Sequence, residues 1–239
     1  MAAGKGKRME NDLPKVLHRL AGRPLVYYVI ELARRVGSER VVLVIGHKRE
    51  LVKEATRMQC VEYVVQEKQI GTGDAIKVCR SALDGFNGDL LVLSGDVPLM
   101  KPETVESAWK LHSESRAAVT VFTFKPDDPT GYGRIVRGEN GELLRIVEQK
   151  DAGREELEIN EVNAGIFFFK ADRLFRALEE LDNDNASGEY YLTDTISIIK
   201  GWGEPEAAFL VEDPIEVAGV NTSQQLSELE EQFLARLNR

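Results

Sequence analysis

The first nine residues gather groups that could hold phosphate. Ala2-Ala3-Gly4-Lys5-Gly6-Lys7-Arg8-Met9 joins small side chains to three cations, and Lys15 follows six residues after Met9. Small residues let backbone N–H groups approach phosphate oxygens, while Lys and Arg supply charge. Two common phosphate loops do not fit. A dinucleotide-binding GxGxxG needs glycine at position 9, where Met9 stands, and no Walker GxxxxGK followed by Ser or Thr occurs. A solvated basic loop is the other reading of the same residues.

Charge sets the loop apart from the rest of the chain. The 239 residues hold 31 Lys+Arg against 40 Asp+Glu, a net charge of −9, which argues against a nucleic-acid backbone as the main partner because counterion release needs a basic face. Residues 1–23 reverse that balance, with Lys5, Lys7, Arg8, Lys15, Arg19 and Arg23 against Glu10 and Asp12, as suits a small anionic ligand. Residues 204–239 hold eight acids against Arg236 and Arg239. Cys60, Cys79, His18, His47 and His112 show no metal-ligand spacing, which argues against structural zinc and a disulfide scaffold. No apolar run approaches the ~20 residues of a membrane span, and Met1 leads into the loop without a signal h-region. A cytoplasmic protein without membrane partners is expected.

Together with Leu13-Pro14-Lys15-Val16-Leu17, the opening loop resembles the signature of sugar-nucleotide pyrophosphorylases, and among them the bacterial N-acetylglucosamine-1-phosphate uridyltransferases. The resemblance continues in order along nearly the whole chain. It runs through Gln66-x-x-Gln69-x-Gly71-Thr72-Gly73, Gly95-Asp96-Val97-Pro98-Leu99, Gly131-Tyr132-Gly133-Arg134-Ile135 and Ile146-Val147-Glu148-Gln149-Lys150-Asp151-Ala152. Gly188-Glu189-Tyr190-Tyr191-x-Thr193-Asp194 and Gly219-Val220-Asn221 complete it.

The resemblance implies attack by a sugar-1-phosphate oxygen on the α-phosphorus of UTP, with pyrophosphate leaving. For N-acetylglucosamine-1-phosphate the product is UDP-N-acetylglucosamine. Several negative charges meet in such a reaction, so positioning and electrostatic stabilisation matter more than a protein nucleophile. By this likeness Arg8 and Lys15 hold phosphate oxygens and stabilise charge developing at the α-phosphorus, the first as a fork and the second as a point charge. Asp96 and Asn221 are the implied protein ligands of Mg²⁺, a hard cation suited to oxygen donors. Ala2, Ala3, Gly4, Gly6, Gln66, Gly71 and Thr72 line the implied nucleotide site, with the Gln66 amide facing the uracil edge and Gly71 giving the base a close approach. The implied sugar site holds Gly133, Glu148, Asn163, Tyr191 and Thr193.

Read without the family, these residues have plainer roles. Asp96 after an apolar run could cap a helix or shape a turn; Arg8 and Lys15 could be solvated, Gln66 could end a strand, and Tyr191 could be core. Three positions depart from the family pattern: Lys7 for the usual Thr, Ser94 where Tyr commonly precedes Gly95, and Ala164 where Thr often follows Asn163. The latter two bear on sugar-pocket packing. Competing functions are a pyrophosphorylase for another sugar phosphate or nucleoside triphosphate (UDP-glucose or dTDP-glucose type) and a non-catalytic nucleotide-sugar sensor.

The elements that must position these residues alternate. Pro24 starts an apolar-periodic helix through Leu25, Val29, Ile30 and Ala33 that Gly37 ends. Strands are expected at 41–45, 61–65 and 90–93, with helices at 50–58 and 74–83 between them. Such alternation implies right-handed crossovers and a doubly wound, mostly parallel α/β sheet of Rossmann-like type, with Asp96 just past a strand at its carboxyl edge. Strands at 118–124, 133–137, 143–147 and 162–169 make a mixed, strand-rich second half. Helices at 172–181 and 193–199, a strand at 207–211 and a helix at 223–238 follow. The family fold implied is that of nucleotide-diphospho-sugar transferases: a single domain over 1–239, with a nucleotide-binding half (1–124), a sugar-binding half (125–215) and a segment (216–239) carrying a metal ligand and the last helix. The resembled enzymes usually add a C-terminal β-helix acetyltransferase, whose hexapeptide repeats these residues lack, so acetyl transfer is not expected of them. A phosphate loop is also expected to follow a buried strand. Only Met1, Ala2 and Ala3 precede Gly4, so about five to eight Val/Ile-rich residues are expected before Met1 in the native protein.

Overall fold

The β-branched runs and amphipathic stretches fold largely as their spacing predicts. The computed structural model describes residues 1–6, 9 and 12–237. A hairpin of β1 (Arg19–Leu20) and β2 (Arg23–Pro24) leads into α1 (Leu25–Arg35), which buries Leu25, Val26, Val29, Ile30, Leu32 and Ala33 on one stripe. Gly37 ends α1 at φ 81°, a conformation that costs glycine little. Next come β3 (Val42–Ile45), α2 (Arg49–Thr56) and β4 (Glu62–Val65), the two strands pairing in parallel. The first half continues with α3 (Thr72–Lys77), β5 (Asp89–Val92) and α4 (Pro102–Glu114). This last helix adds to the expected elements, although its signature is present: Pro102 in the first turn, with Val105, Ala108 and His112 on one buried face.

The second half contributes β6 (Val119–Phe124), β7 (Arg134–Arg137), β8 (Leu143–Val147), α5 (Arg154–Leu157), β9 (Val162–Lys170), α6 (Ala171–Glu180), α7 (Asp194–Gly201), β10 (Glu206–Leu210) and α8 (Ser223–Leu237). Six strands join in the order β10-β6-β9-β7-β8, with β5 also paired to β9. In this sheet β5, β6, β7 and β10 run one way and β8 and β9 the other. The long reversed strand β9 therefore lies between β5 and β6 and sews both halves into one sheet. Its alternate side chains feed both faces. Phe167 and Phe169 pack with Ile76, Val92, Val121 and Ile196, while Ile166 and Phe168 pack with Val105, Ala108 and Phe122. Each buried Phe contributes about 1.5–3 kcal/mol, which concentrates stability where the halves meet. The expected α/β architecture is observed.

Where a strand leading into the glycine loop is expected, residues 1–3 lie between β3 and the end of β5. Ala2 N–H donates to the Val44 carbonyl (2.8 Å) and pairs with Ile45 in parallel, and Gly95 N–H donates to the Met1 carbonyl (2.9 Å). The Met1 ammonium, buried and held below its usual pKa by that burial, donates to the Leu93 carbonyl (2.6 Å). Beside it, Val42, Val44, Leu90 and Val92 border an apolar cavity of about 550 Å³.

The chain that carries Asn221 is anchored separately. Asp213 opens a short turn of helix, Pro214–Val217, and accepts a two-pronged bond from Arg236 of α8 (2.6 and 3.0 Å). Glu216 is buried and accepts from Lys101 N–H (3.1 Å), Lys101 Nζ (2.8 Å) and Thr104 Oγ1 (2.6 Å) at the start of α4. Among the described residues, no helix is long and apolar enough to cross a membrane.

Candidate active site

A 3₁₀ turn, one strand end and a loop bring three distant groups to a point. Lys15 Nζ donates to Asp96 Oδ2 (2.5 Å) and to Asn221 Oδ1 (3.1 Å), contacts that span 81 and 206 residues of sequence. Lys15 heads a single turn of 3₁₀ helix, Lys15–Leu17, whose Val16 and Leu17 are buried. Asp96 follows β5, and its carbonyl accepts Val220 N–H (3.0 Å), which sets Asn221 beside it. The two oxygens thus converge on a cation. Arg8 and Lys7 lie outside the described residues.

Glycines set how closely the surrounding backbones approach. A side chain at Gly95 would meet the Met1 carbonyl oxygen at 2.7 Å and Val16 Cγ1 at 2.9 Å, so only glycine lets residues 1–3 lie against the Asp96 turn. Ala2 and Ala3 are buried, and the Ala3 carbonyl accepts His47 N–H (3.1 Å). Gly6 turns at φ 59° against Lys15, while Gly4 faces open space. A polar recess of about 290 Å³ lies between Lys5 and Gly6 on one side and Gln69 and Glu189 on the other.

The groups assigned to the nucleotide base are more engaged with the protein than their sequence context suggests. Gln66 is buried and its NH₂ donates to the Gly71 carbonyl (3.0 Å) and Asp74 Oδ2 (2.8 Å). Gly71, at φ 126°, packs on backbone: an added Cβ would stand 2.2 Å from the Tyr190 carbonyl oxygen. Thr72 Oγ1 accepts Leu192 N–H (3.0 Å). Thus the segment 66–73 holds the segment 190–193 in place, a role invisible in the motif itself.

The residues assigned to the sugar do come together. Thr193 Oγ1 donates to Glu148 Oε1 (2.9 Å), Gly133 lies against Glu148, and Asn163 N–H donates to the Gly133 carbonyl (2.9 Å). Asn163 Oδ1 in turn accepts Gly165 N–H (2.9 Å). Burial pushes the Glu148 carboxyl up, against the Thr193 bond that lowers it, and burial likewise raises the Tyr191 phenol. Two departures from the family pattern meet here: Ser94 Oγ donates to the Gly165 carbonyl (3.0 Å), beside buried Ala164.

Sequence reasoning gave Asp194 no role. It opens α7 next to Thr193, and burial, then the charges of Glu148, Asp182 and Asp151, push its carboxyl up to about 6. A carboxyl whose folded pKa is raised costs stability as pH rises from its ordinary value near 3.8 to about 6, and the cost is constant above. Asp194→Asn should therefore melt at the same temperature as the parent below pH 4 and higher above pH 6. After discounting for its partial solvent access, a gain of about 2–4 °C is expected. Melting curves across pH 4–8 check this, and a gain that does not grow with pH contradicts it.

Comparison with known proteins places this arrangement. The nucleotidyl transferase family model matches residues 1–214. The bifunctional protein GlmU of Geobacter metallireducens is 47% identical over 240 residues, covering 100% of this chain and 50% of that protein. The GlmU proteins of Exiguobacterium sibiricum and Clostridium botulinum are 45% and 44% identical over 238 residues, covering all of this chain and 53% and 52% of theirs. The chain spans about half the length of the curated relatives it matches. Among solved structures, UDP-glucose pyrophosphorylase complexed with UDP-glucose superposes with a TM-score of 0.79 at 22% identity, covering 98% of this chain and 97% of that one. At that identity the likeness shows the fold.

Proposed function

The chain belongs to the nucleotidyl transferase family, and from that premise we propose that it transfers a uridylyl group from UTP to N-acetylglucosamine-1-phosphate, releasing UDP-N-acetylglucosamine and pyrophosphate. The observation that carries this reading is the meeting of Lys15, Asp96 and Asn221 beside the glycine loop, in a chain that also pairs Glu148 with Thr193. One group of residues suits a triphosphate and the other a sugar. The Ser94–Gly165 bond (3.0 Å) joins the segment before Asp96 to the segment after Asn163, which supports a reading in which the reacting phosphates lie between the two groups.

The acceptor's phosphate oxygen forms a bond to the α-phosphorus as the bond to the bridging oxygen breaks, and pyrophosphate leaves with that electron pair. The chain's part is to orient and to neutralise. Asp96 and Asn221 fit Mg²⁺ as a carboxylate and an amide oxygen that already share one cation, the Lys15 ammonium. When bound, the metal offsets triphosphate charge. Arg8 and Lys15 would contact phosphate oxygens, with Ala2, Ala3, Gly4 and Gly6 supplying backbone approach. The Gln66 NH₂ is committed to Gly71 and Asp74, which leaves Oε1 to accept from uracil N3–H above Gly71 and Thr72. Glu148 would accept a sugar hydroxyl, with Asn163, Tyr191, Thr193 and the Gly133 backbone completing the pocket. Its partners are then small molecules, without nucleic acid or membrane, in the cytoplasm where nucleoside triphosphates and sugar phosphates are held.

A substrate panel tests the assignment. With UTP, dTTP and CTP against N-acetylglucosamine-1-phosphate and glucose-1-phosphate, kcat/KM should be highest for UTP with the acetamido sugar. A higher value for glucose-1-phosphate would overturn the sugar, and binding without pyrophosphate release would overturn catalysis.

A further inference from the structure

Lys15 stands where its two partners would hold a divalent cation. We propose that Lys15 is a placeholder: its ammonium occupies the Asp96–Asn221 pair in the substrate-free protein, is displaced when a divalent cation arrives, and is thereby released to reach phosphate. This rests on the reading of Asp96 and Asn221 as metal ligands.

Three observations support it. First, the contacts are those of a cation among oxygen donors, with Lys15 Nζ 2.5 Å from Asp96 Oδ2 and 3.1 Å from Asn221 Oδ1. Second, the pair is shielded, with the Lys15 and Asp96 side chains 19% and 17% exposed, so the carboxylate would be costly to leave without a countercharge. Third, the backbone of Lys15 is fixed while its stem is not. Gly6 packs on Lys15 N and Cβ, and Val16 and Leu17 anchor the turn, so the head can swing on its four-carbon stem without moving the loop. A lysine suits this role because its ammonium is a compact charge on a flexible chain. The consequence is order: cation and ammonium exclude each other at Asp96, so metal binding and delivery of Lys15 to phosphate become one event. Affinity for the metal alone is lowered by the fraction of time that Lys15 holds the pair.

Mn²⁺ binding to the nucleotide-free protein, measured by electron paramagnetic resonance, tests this without turnover. Lys15→Met keeps the stem's bulk and removes the charge, and Lys15→Gln serves as a second variant should the first not fold. Either should bind Mn²⁺ at least about tenfold more tightly than the parent, the factor expected if Lys15 holds the pair nine-tenths of the time. Lys48→Met removes an equal charge from a lysine that is paired with Asp12, and should change affinity less than about twofold. Affinity in the Lys15 variants equal to or below the parent's overturns the placeholder, as does an equal gain in Lys48→Met. Adding Asp96→Asn to Lys15→Met separates the two claims. Loss of the gained site supports both, whereas a gained site that survives shows that Asp96 is no ligand and overturns both. If the parent and the Lys15 variants bind equally and adding Asp96→Asn abolishes binding, the metal assignment stands and the placeholder fails.

Discussion

Asp96→Ala should lose about three orders of magnitude in kcat while melting within a few degrees of the parent. The carboxylate is the one charged oxygen donor of the Asp96–Asn221 pair, and removing the ligand of a metal that neutralises a triphosphate forfeits several kcal/mol of transition-state stabilisation, at about 1.4 kcal/mol per tenfold. The fold should tolerate the change. Asp96 contributes its backbone carbonyl to Val220, which alanine retains, and its side chain pairs with the Lys15 ammonium on a flexible stem. Asn221→Ala should follow in the same direction with a smaller loss, since a neutral oxygen contributes less. Either variant with kcat within tenfold of the parent contradicts the metal assignment.

Gly71→Ala should have the largest effect on stability of any single methyl added to the site. At φ 126° the position is accessible to glycine and strained for alanine, at a cost of about 1–3 kcal/mol. The new Cβ would also lie 2.2 Å from the Tyr190 carbonyl oxygen and 2.6 Å from its nitrogen, and a backbone cannot rotate aside as a side chain can. Two hydrogen bonds lie in its way, Tyr190 N–H to the Ile70 carbonyl (2.9 Å) and Gly73 N–H to the Tyr190 carbonyl (2.8 Å). Each broken bond adds about 1–3 kcal/mol. The sum exceeds about 4 kcal/mol, and a fall in Tm on the order of 10 °C follows. Any folded fraction should show a raised KM for the sugar phosphate, since Tyr191 and Thr193 move with Tyr190. Gly85→Ala is the control: its φ is 72° but an added Cβ meets nothing within 4 Å. Equal melting of the two variants contradicts this account.

These two predictions differ in how far sequence alone could reach them. Asp96 and Asn221 stand out as candidates because a family pattern names them, and an apolar strand before Asp96 puts it at a sheet edge; what the fold adds is their meeting at Lys15. Gly71 was legible as a glycine but for a different reason, since nothing in 66–73 announces a partner at 190. Local signals placed β3, β4, β6, β8 and α6 within a residue or two. They could not show that β9 runs reversed between β5 and β6, because pairing across 38 to 81 residues leaves no periodicity in any of these strands. Asp194 escaped notice for the same reason: its raised pKa comes first from burial and then from the charges of Glu148, Asp182 and Asp151, an environment that only the fold creates. The Lys15–Asp96 contact is likewise a product of two motifs, each readable and neither pointing to the other.

The fate of the α-phosphate of UTP decides whether this site transfers a uridylyl group. The chain, Mg²⁺ and N-acetylglucosamine-1-phosphate are incubated with UTP labelled at the α-phosphorus, and the products are separated. Attack at that phosphorus puts all of the label in UDP-N-acetylglucosamine, in one-to-one yield with unlabelled pyrophosphate. Label in free UMP without sugar nucleotide, or no pyrophosphate from UTP at all, contradicts uridylyl transfer by this site.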